Sequence, residues 1–215
     1  KNLARDLNSF GVLSKVSDTN SVAKSVVGKI SKNIIFSTDY KKVLKDENIT
    51  SVAIATPAKT HYKLVREALI AKKNVFVEKP LCLKESELDE ITKLKLKSKT
   101  SLMIGFNRRF SSLTIKLKKF IGSSPMTMVY RINAGEIPFD NWIQDLEIGG
   151  GRVLGEVCHF IDLMTFVNGS LPIKVSASAL PNTNGINDTI NILIQFENGS
   201  SGVIAFYSNG SRVLT

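Results

Sequence analysis

The chain has 215 residues, 43% of them hydrophobic, enough to bury a core in one large domain or two small ones. Its formal charge is +10, but the lysines are spread over helical faces without interleaved aromatic residues, so the charge reads as solvated surface with a general attraction for anionic ligands rather than as a nucleic-acid footprint. No apolar run nears a membrane span, no charged-then-apolar leader opens the chain, and its two distant cysteines, Cys82 and Cys158, form neither a disulfide framework nor a metal-ligand spacing, so a cytoplasmic protein without metal or membrane partner is expected.

Lys1 to Phe10 reads as the back half of a helix stopped by Gly11, and Val12 to Ser17 as a strand. Asp18 follows that strand, and Ser21 to Lys29 resumes helical period. Asp18 is either the N-cap of this helix or, in a dinucleotide fold, the acid at the end of the second strand that accepts from the adenosine ribose hydroxyls. An acid there disfavours a 2′-phosphate, which points to NAD over NADP. The glycine-rich strand-to-helix turn that opens such a fold is missing, and a piece of a longer enzyme is expected. Ile34 to Phe36 is a short strand and Asp39 to Lys45 a short helix.

The stretch Ser51 to Pro80 organises the rest. Ser51 to Ala55 is an apolar run cut off by Thr56-Pro57, as suits a strand buried on both faces. His61, Leu64, Val65, Ala68 and Leu69 then recur at helical spacing, and Asn74 to Val77 is a second strand running into Glu78-Lys79-Pro80. Two such strands joined by a helix are parallel, so both polar tips emerge at one carboxyl edge, where ligands of open sheets bind. Proline pushes Lys79 into an extended conformation and aims it, although a charged strand end alone would look the same. The run T-P, four residues on H, then N-V-F-V-E-K-P-L resembles the Gfo/Idh/MocA family of NAD(P)-dependent sugar and polyol dehydrogenases. The resemblance implies that Lys79 lies beside the nicotinamide and the substrate hydroxyl, that the bond before Pro80 is often cis, and that Thr56, Pro57, His61, Glu78, Lys79 and Pro80 take part in cofactor binding.

Lys84 to Ser98 is a charged helix and Leu102 to Ile104 a buried strand leading to Gly105-Phe-Asn107-Arg108. A boundary here divides a Rossmann-type NAD(P)-binding domain, 1–107, from an α+β substrate and oligomerisation domain, 108–215. The resemblance puts Asn107 and Arg108 near the nicotinamide and substrate; exposed arginines on a linker are the alternative. Leu113 to Ile121 is a helix, Met126 to Ala134 an alternating strand, and Gly135 to Ile148 a long loop. Its Trp142 either stacks on a sugar or nucleotide ring or anchors the loop.

Gly149-Gly-Gly-Arg-Val-Leu-Gly-Glu-Val-Cys-His-Phe-Ile-Asp162 is the second chemical segment. At ordinary helical spacing Glu156 and Asp162 lie three residues either side of His159 and flank its imidazole, while Cys158 points away and reads as a small buried hydrophobe. His159 is then a catalytic acid or base, or a helix histidine held by acidic neighbours. The segment resembles the family's glycine turn and D-x-x-x-H-x-x-D, with Gly155 at the place of the first Asp and the carboxylate one residue later. Residues 133 to 163 resemble a two-part subgroup associated with surface-polysaccharide pathways and nucleotide sugars. Lys174 to Leu180, Thr189 to Phe196 and Gly202 to Tyr207 read as strands, with hairpin turns at Asn198-Gly199 and Asn209-Gly210, and another strand begins near Thr215.

The expected fold is α/β, a partial doubly wound parallel sheet followed by an α+β domain with a mostly antiparallel sheet, which in the family covers the substrate and often makes a homo-oligomer. The expected chemistry is hydride transfer between NAD(P) and a secondary alcohol of a sugar, polyol or nucleotide sugar. His159 is the acid or base, oriented by Glu156 or Asp162; Lys79 polarises the oxygen, and Trp142 contacts the substrate. A non-catalytic cofactor or sugar sensor and a scaffold relative are the rival classes.

Overall fold

The computed structural model describes residues 2–181 and 187–211. Helix α1 (Asn2–Ser9) leads to β1 (Lys15–Ser17), which pairs in parallel with β2 (Ile35–Ser37) through helix α2 (Ala23–Gly28). After the short helix α3 (Lys41–Leu44) comes a second parallel sheet, β3 (Ser51–Ile54), β4 (Asn74–Val77) and β5 (Leu102–Ile104), in that spatial order. Helices α4 (His61–Ile70) and α5 (Glu85–Lys97) are its crossovers, as parallel neighbours require.

Helix α4 forms where the apolar period predicts. Val65, Ala68 and Leu69 line one side and are buried with Ile54, Val75, Val77 and Ile91. Helix α5 starts where the Glu87 carboxylate accepts from the Leu83 and Lys84 main chain at 3.2 and 3.3 Å. Its acids sit in the first turn and its lysines in the last, complementing the helix dipole. One expectation fails at β3. The strand is not buried on both faces, since Ser51 and Ala53 are exposed and only Ile54 is fully covered. It is an edge strand of its sheet, packed by helices on the Ile54 side.

The second half contains α6 (Ser112–Ile121), β6 (Thr127–Asn133), α7 (Cys158–Asn168), β7 (Pro172–Ala179), β8 (Ile190–Phe196) and β9 (Ser201–Tyr207). The sheet order is β6-β9-β8-β7. Pairs β7–β8 and β8–β9 are antiparallel and β6–β9 is parallel, so the sheet is mixed. Asn198-Gly199 closes the β8–β9 hairpin, with the Gly199 N–H donating to Phe196 at 3.0 Å. Helix α7 lays Val157, Phe160 and Met164 against Ile192, Ile194, Phe196, Ile204 and Phe206. On the other face Val129 and Leu193 stay exposed. The strand expected near Thr215 lies outside the described residues. Among the described residues no helix is long and apolar enough to cross a membrane.

Candidate active site

Because β3, β4 and β5 are parallel, the segments that follow them leave the sheet at one edge: Thr56-Pro57, Glu78-Lys79-Pro80 and Gly105 to Arg108. The Glu78 N–H donates to Ile54 at 2.9 Å and the Gly105 N–H to Val77 at 2.8 Å, extending the ladder into the tips. Gly105 packs closely against two side chains. A Cβ there would lie 3.0 Å from Glu78 Oε2 and 3.2 Å from the Phe76 ring. The Lys79-Pro80 bond is cis.

His61 fastens this edge. It is 1% exposed, with Nδ1 2.7 Å from the Pro80 carbonyl and Nε2 2.8 Å from the Thr56 carbonyl. Each ring nitrogen thus lies against a main-chain carbonyl, which positions the edge, and His61 also lines the cavity beside it. Thr56 itself is exposed, with its hydroxyl 2.6 Å from that of Thr60.

The second half closes over the tips. The 135–148 loop is tied to the edge by the Lys59 N–H, which donates to Ile148 at 3.2 Å. Asp145 braces the loop's end, its carboxylate accepting from the N–H groups of Glu147 and Ile148. At Gly149 a Cβ would come within 2.6 Å of the Trp142 carbonyl and of Ile143 Cα, so only glycine lets the backbone pass there. The result is a cavity of about 430 Å³ between the sheet edge and this segment, within the usual size range of ligand sites. Thr56, Glu78, Lys79 and Pro80 line one wall, and Trp142, Gly155 and Glu156 line the other. The Trp142 ring is 54% exposed at the mouth, free to contact a bound molecule.

The helix carrying His159 does not start as an ordinary α-helix. Val153–Val157 is a π-helical turn, with α7 beginning at Cys158; such wide turns occur mostly as single insertions, often at functional sites. The wider turn breaks the 3.6-residue register assumed from sequence. Glu156 does not flank His159 but pairs with Arg152, which donates from Nε at 2.8 Å and Nη2 at 3.2 Å. Arg152 is buried, also donates to the Gly135 carbonyl at 2.7 Å and lies over the Phe206 ring. Asp162 is buried in a two-pronged pair with Arg109, donated from Nε at 2.7 Å and from Nη2. Neither acid bonds His159, so the expectation that one of them orients the imidazole is corrected. His159 Nδ1 is buried without a hydrogen-bond partner among the described residues, and its ring meets Phe106 edge-on at 6.1 Å.

Lys79 and His159 are brought together. The Lys79 ammonium donates to the Gly155 carbonyl, one helical turn before His159. Burial, then the Lys79 charge, then Arg108 hold the imidazole pKa at about 4, outweighing Asp162 and Glu156. Burial pushes the Cys158 thiol up, which disfavours the thiolate. Arg108 sits with its guanidinium 4.7 Å from the Phe160 ring centre, and Asn107 is exposed beside it.

Asp18 follows β1 with its N–H donating to Ser37 at 3.2 Å, and its carboxylate accepts from Asn20 at 2.8 Å. The N-cap of α2 is Val22, so the capping alternative for Asp18 fails. The ion pairs of Arg109 and Arg152 went unread in the sequence. Arg152 lies one turn before Glu156, a pairing signal that was available; nothing local marks Arg109 as the partner of Asp162. Replacing Asp162 with Ala should destabilise the fold by about 1–3 kcal/mol, because the Arg109 charge loses both acceptors in a partly buried place. Chemical denaturation would detect this; an unchanged midpoint would contradict it.

Residues 3–106 match the model of the oxidoreductase family with an NAD-binding Rossmann fold, and residues 126–211 match the GFO/IDH/MocA C-terminal domain. The chain is similar to the myo-inositol 2-dehydrogenase of Thermotoga maritima, at 30% identity over 77% of this chain and 52% of the relative. It is similar to the uncharacterized oxidoreductase YrbE of Bacillus subtilis, also 30% identical, over 81% of this chain and 55% of the relative. A crystal structure of an NAD-binding protein from Listeria innocua aligns with TM-score 0.75 at 28% identity, covering 91% of this chain and 59% of that one. The chain thus spans about half the length of the curated relatives it matches.

Proposed function

Since the chain belongs to the Gfo/Idh/MocA oxidoreductase family, we propose that it oxidises a secondary alcohol of a sugar, polyol or nucleotide sugar with NAD as the hydride acceptor. The observation that carries this reading is the meeting of Lys79, from the sheet edge, with the helix segment of His159 at the wall of one cavity. When bound, NAD supplies a pyridinium carbon that takes the carbinol hydride as the C–O bond becomes a carbonyl.

The chain's own groups handle the proton and the oxygen. The Lys79 ammonium, steadied by the Gly155 carbonyl, donates to the substrate oxygen and favours the charge that grows there as the O–H bond breaks. His159 receives that proton. Its Nδ1 is buried, leaving Nε2 as the nitrogen a substrate reaches. A pKa of about 4 keeps the ring neutral and able to accept at neutral pH. Arg109 holds Asp162 and Arg152 holds Glu156, so two carboxylates are kept from moving as the charge shifts. Thr56 and Glu78 fit the nicotinamide end of the cofactor by their place at the carboxyl edge, and the walls with Trp142 shield the reacting carbon from water. The myo-inositol activity named for the Thermotoga relative supports a polyhydroxylated substrate.

Asp18, exposed at the end of β1, favours ribose hydroxyls over a 2′-phosphate. The test is reduction of cofactor by the full-length protein with a panel of polyols, sugars and nucleotide sugars. Appearance of reduced NAD with at least one of them, and markedly slower turnover with NADP, is expected. Cofactor binding without turnover on any alcohol would favour the sensor reading instead, and no cofactor binding would favour a scaffold.

A further inference from the structure

His61 stands between two acceptors. Its Nδ1 lies 2.7 Å from the Pro80 carbonyl and its Nε2 2.8 Å from the Thr56 carbonyl, and the ring is buried. A neutral imidazole carries one N–H, so its other nitrogen would turn a lone pair onto a carbonyl lone pair at hydrogen-bond distance. Only the imidazolium donates at both ends. Flipping the ring would turn carbon toward both carbonyls. Out of solvent, a contact left unmade costs more than an ordinary hydrogen bond contributes. The surroundings suit a cation. Of the charged groups lining the same cavity, Glu78 and Lys79 come from the β4 tip and Glu156 from the far wall, where Arg152 pairs with it. Glu78 makes no ion pair among the described residues, so its carboxylate offsets the Lys79 charge on the same tip. Lys59 and Lys63, on either side of His61 in the chain, are exposed, and burial pushes up the thiol of Cys82, beyond Pro80.

We infer that His61 works as an imidazolium, a buried two-donor clamp that fixes the Thr56 tip and the Lys79-Pro80 tip at one spacing and thereby positions Lys79 for the reaction. Charge-assisted donors grip main-chain carbonyls more firmly than neutral ones. Loss of one proton leaves one carbonyl without a donor, frees that tip, and shifts the ammonium next to Pro80. His61 is in this sense a positioning residue. The chain's two histidines then do opposite work, since His159, with Nδ1 buried and unpartnered among the described residues, acts as the neutral ring. The effect on turnover rests on the dehydrogenase reading above; the charge state of the clamp does not.

Nitrogen NMR of full-length protein labelled at histidine, with each ring assigned through its own backbone, should show hydrogen on both ring nitrogens of His61 at pH 7 and on one of His159. Raising the pH should remove one of the two hydrogens from His61, and kcat/KM for alcohol oxidation by NAD should decline on the alkaline side with the same midpoint. His61→Gln presents one amide nitrogen in place of two ring nitrogens and does not titrate. Its kcat should fall about ten- to a hundredfold, the cost of misplacing a catalytic group by about an ångström, and the alkaline decline at the ring's midpoint should vanish. A single ring hydrogen on His61 at pH 7 overturns the inference, whether or not the variant folds. So does an alkaline decline displaced from the ring's midpoint, or one retained at that midpoint in His61→Gln. If no alcohol is oxidised, the dehydrogenase reading falls and the ring spectrum still decides the charge. A neutral His61 beside normal turnover sinks the clamp alone.

Discussion

Replacing Lys79 with methionine should lower kcat/KM for alcohol oxidation by about a hundred- to a thousandfold, the usual loss when one preorganised donor to a developing oxyanion is removed. Methionine keeps most of the length and the apolar stem, so the change isolates the ammonium. The fold should hold, because the lost contact is a single charge-assisted hydrogen bond to the Gly155 carbonyl, worth about 1.5–3 kcal/mol. His61 and its two carbonyl contacts, which fasten the same edge, are untouched. NAD affinity should therefore change little while turnover collapses. Steady-state kinetics beside cofactor binding check this; near-normal turnover in the variant would remove Lys79 from the chemistry.

His159→Ala should lower kcat by about a hundred- to ten-thousandfold, the range of one positioned acid or base. The wild type carries a second signature. With its pKa held at about 4 by burial and by Lys79 and Arg108, His159 stays neutral well below the ordinary histidine range, so the acid limb of kcat/KM should fall near pH 4 rather than near 6.5. The same depression sets a sign for stability. Between the unfolded value of 6.5 and the folded value of about 4, the unfolded chain binds more protons, so stability rises with pH across that window and is lost as pH falls through it. His159→Asn should lack this part of the pH dependence. Denaturation midpoints from pH 4 to 7 would reveal it, and identical profiles in both proteins would contradict the buried neutral imidazole.

Much of this architecture was readable from local pattern. The 3.6 period of His61 to Leu69 and the breaker Thr56-Pro57 placed α4 and the end of β3 because burial of one helix face is a local demand on sequence. Glu78-Lys79-Pro80 emerged at the carboxyl edge for the same reason. The misreadings have physical sources. The spacing of Glu156, His159 and Asp162 was judged on an ordinary helix, but the π-turn at Val153–Val157 changes the register, and no residue pattern announces such a turn. The arginines that take the two carboxylates come from one turn away, Arg152, and from 53 positions away, Arg109; the second is a tertiary contact without a local trace. For Asp18 the sequence favours the ribose role and leaves N-capping open beside it, and the cap is removed only because α2 starts later, after Val22. The parallel β6–β9 pairing is likewise a long-range contact that neither strand marks locally.

The most direct test follows the hydrogen. Full-length protein should be given NAD and an oxidisable sugar or polyol carrying deuterium on the carbinol carbon, and the reduced cofactor examined by mass spectrometry. The account predicts that each turnover delivers one deuterium to the nicotinamide, and that label transfer falls with turnover in Lys79→Met and His159→Ala. Reduced cofactor without label, or label transfer at the wild-type rate in both variants, would contradict it.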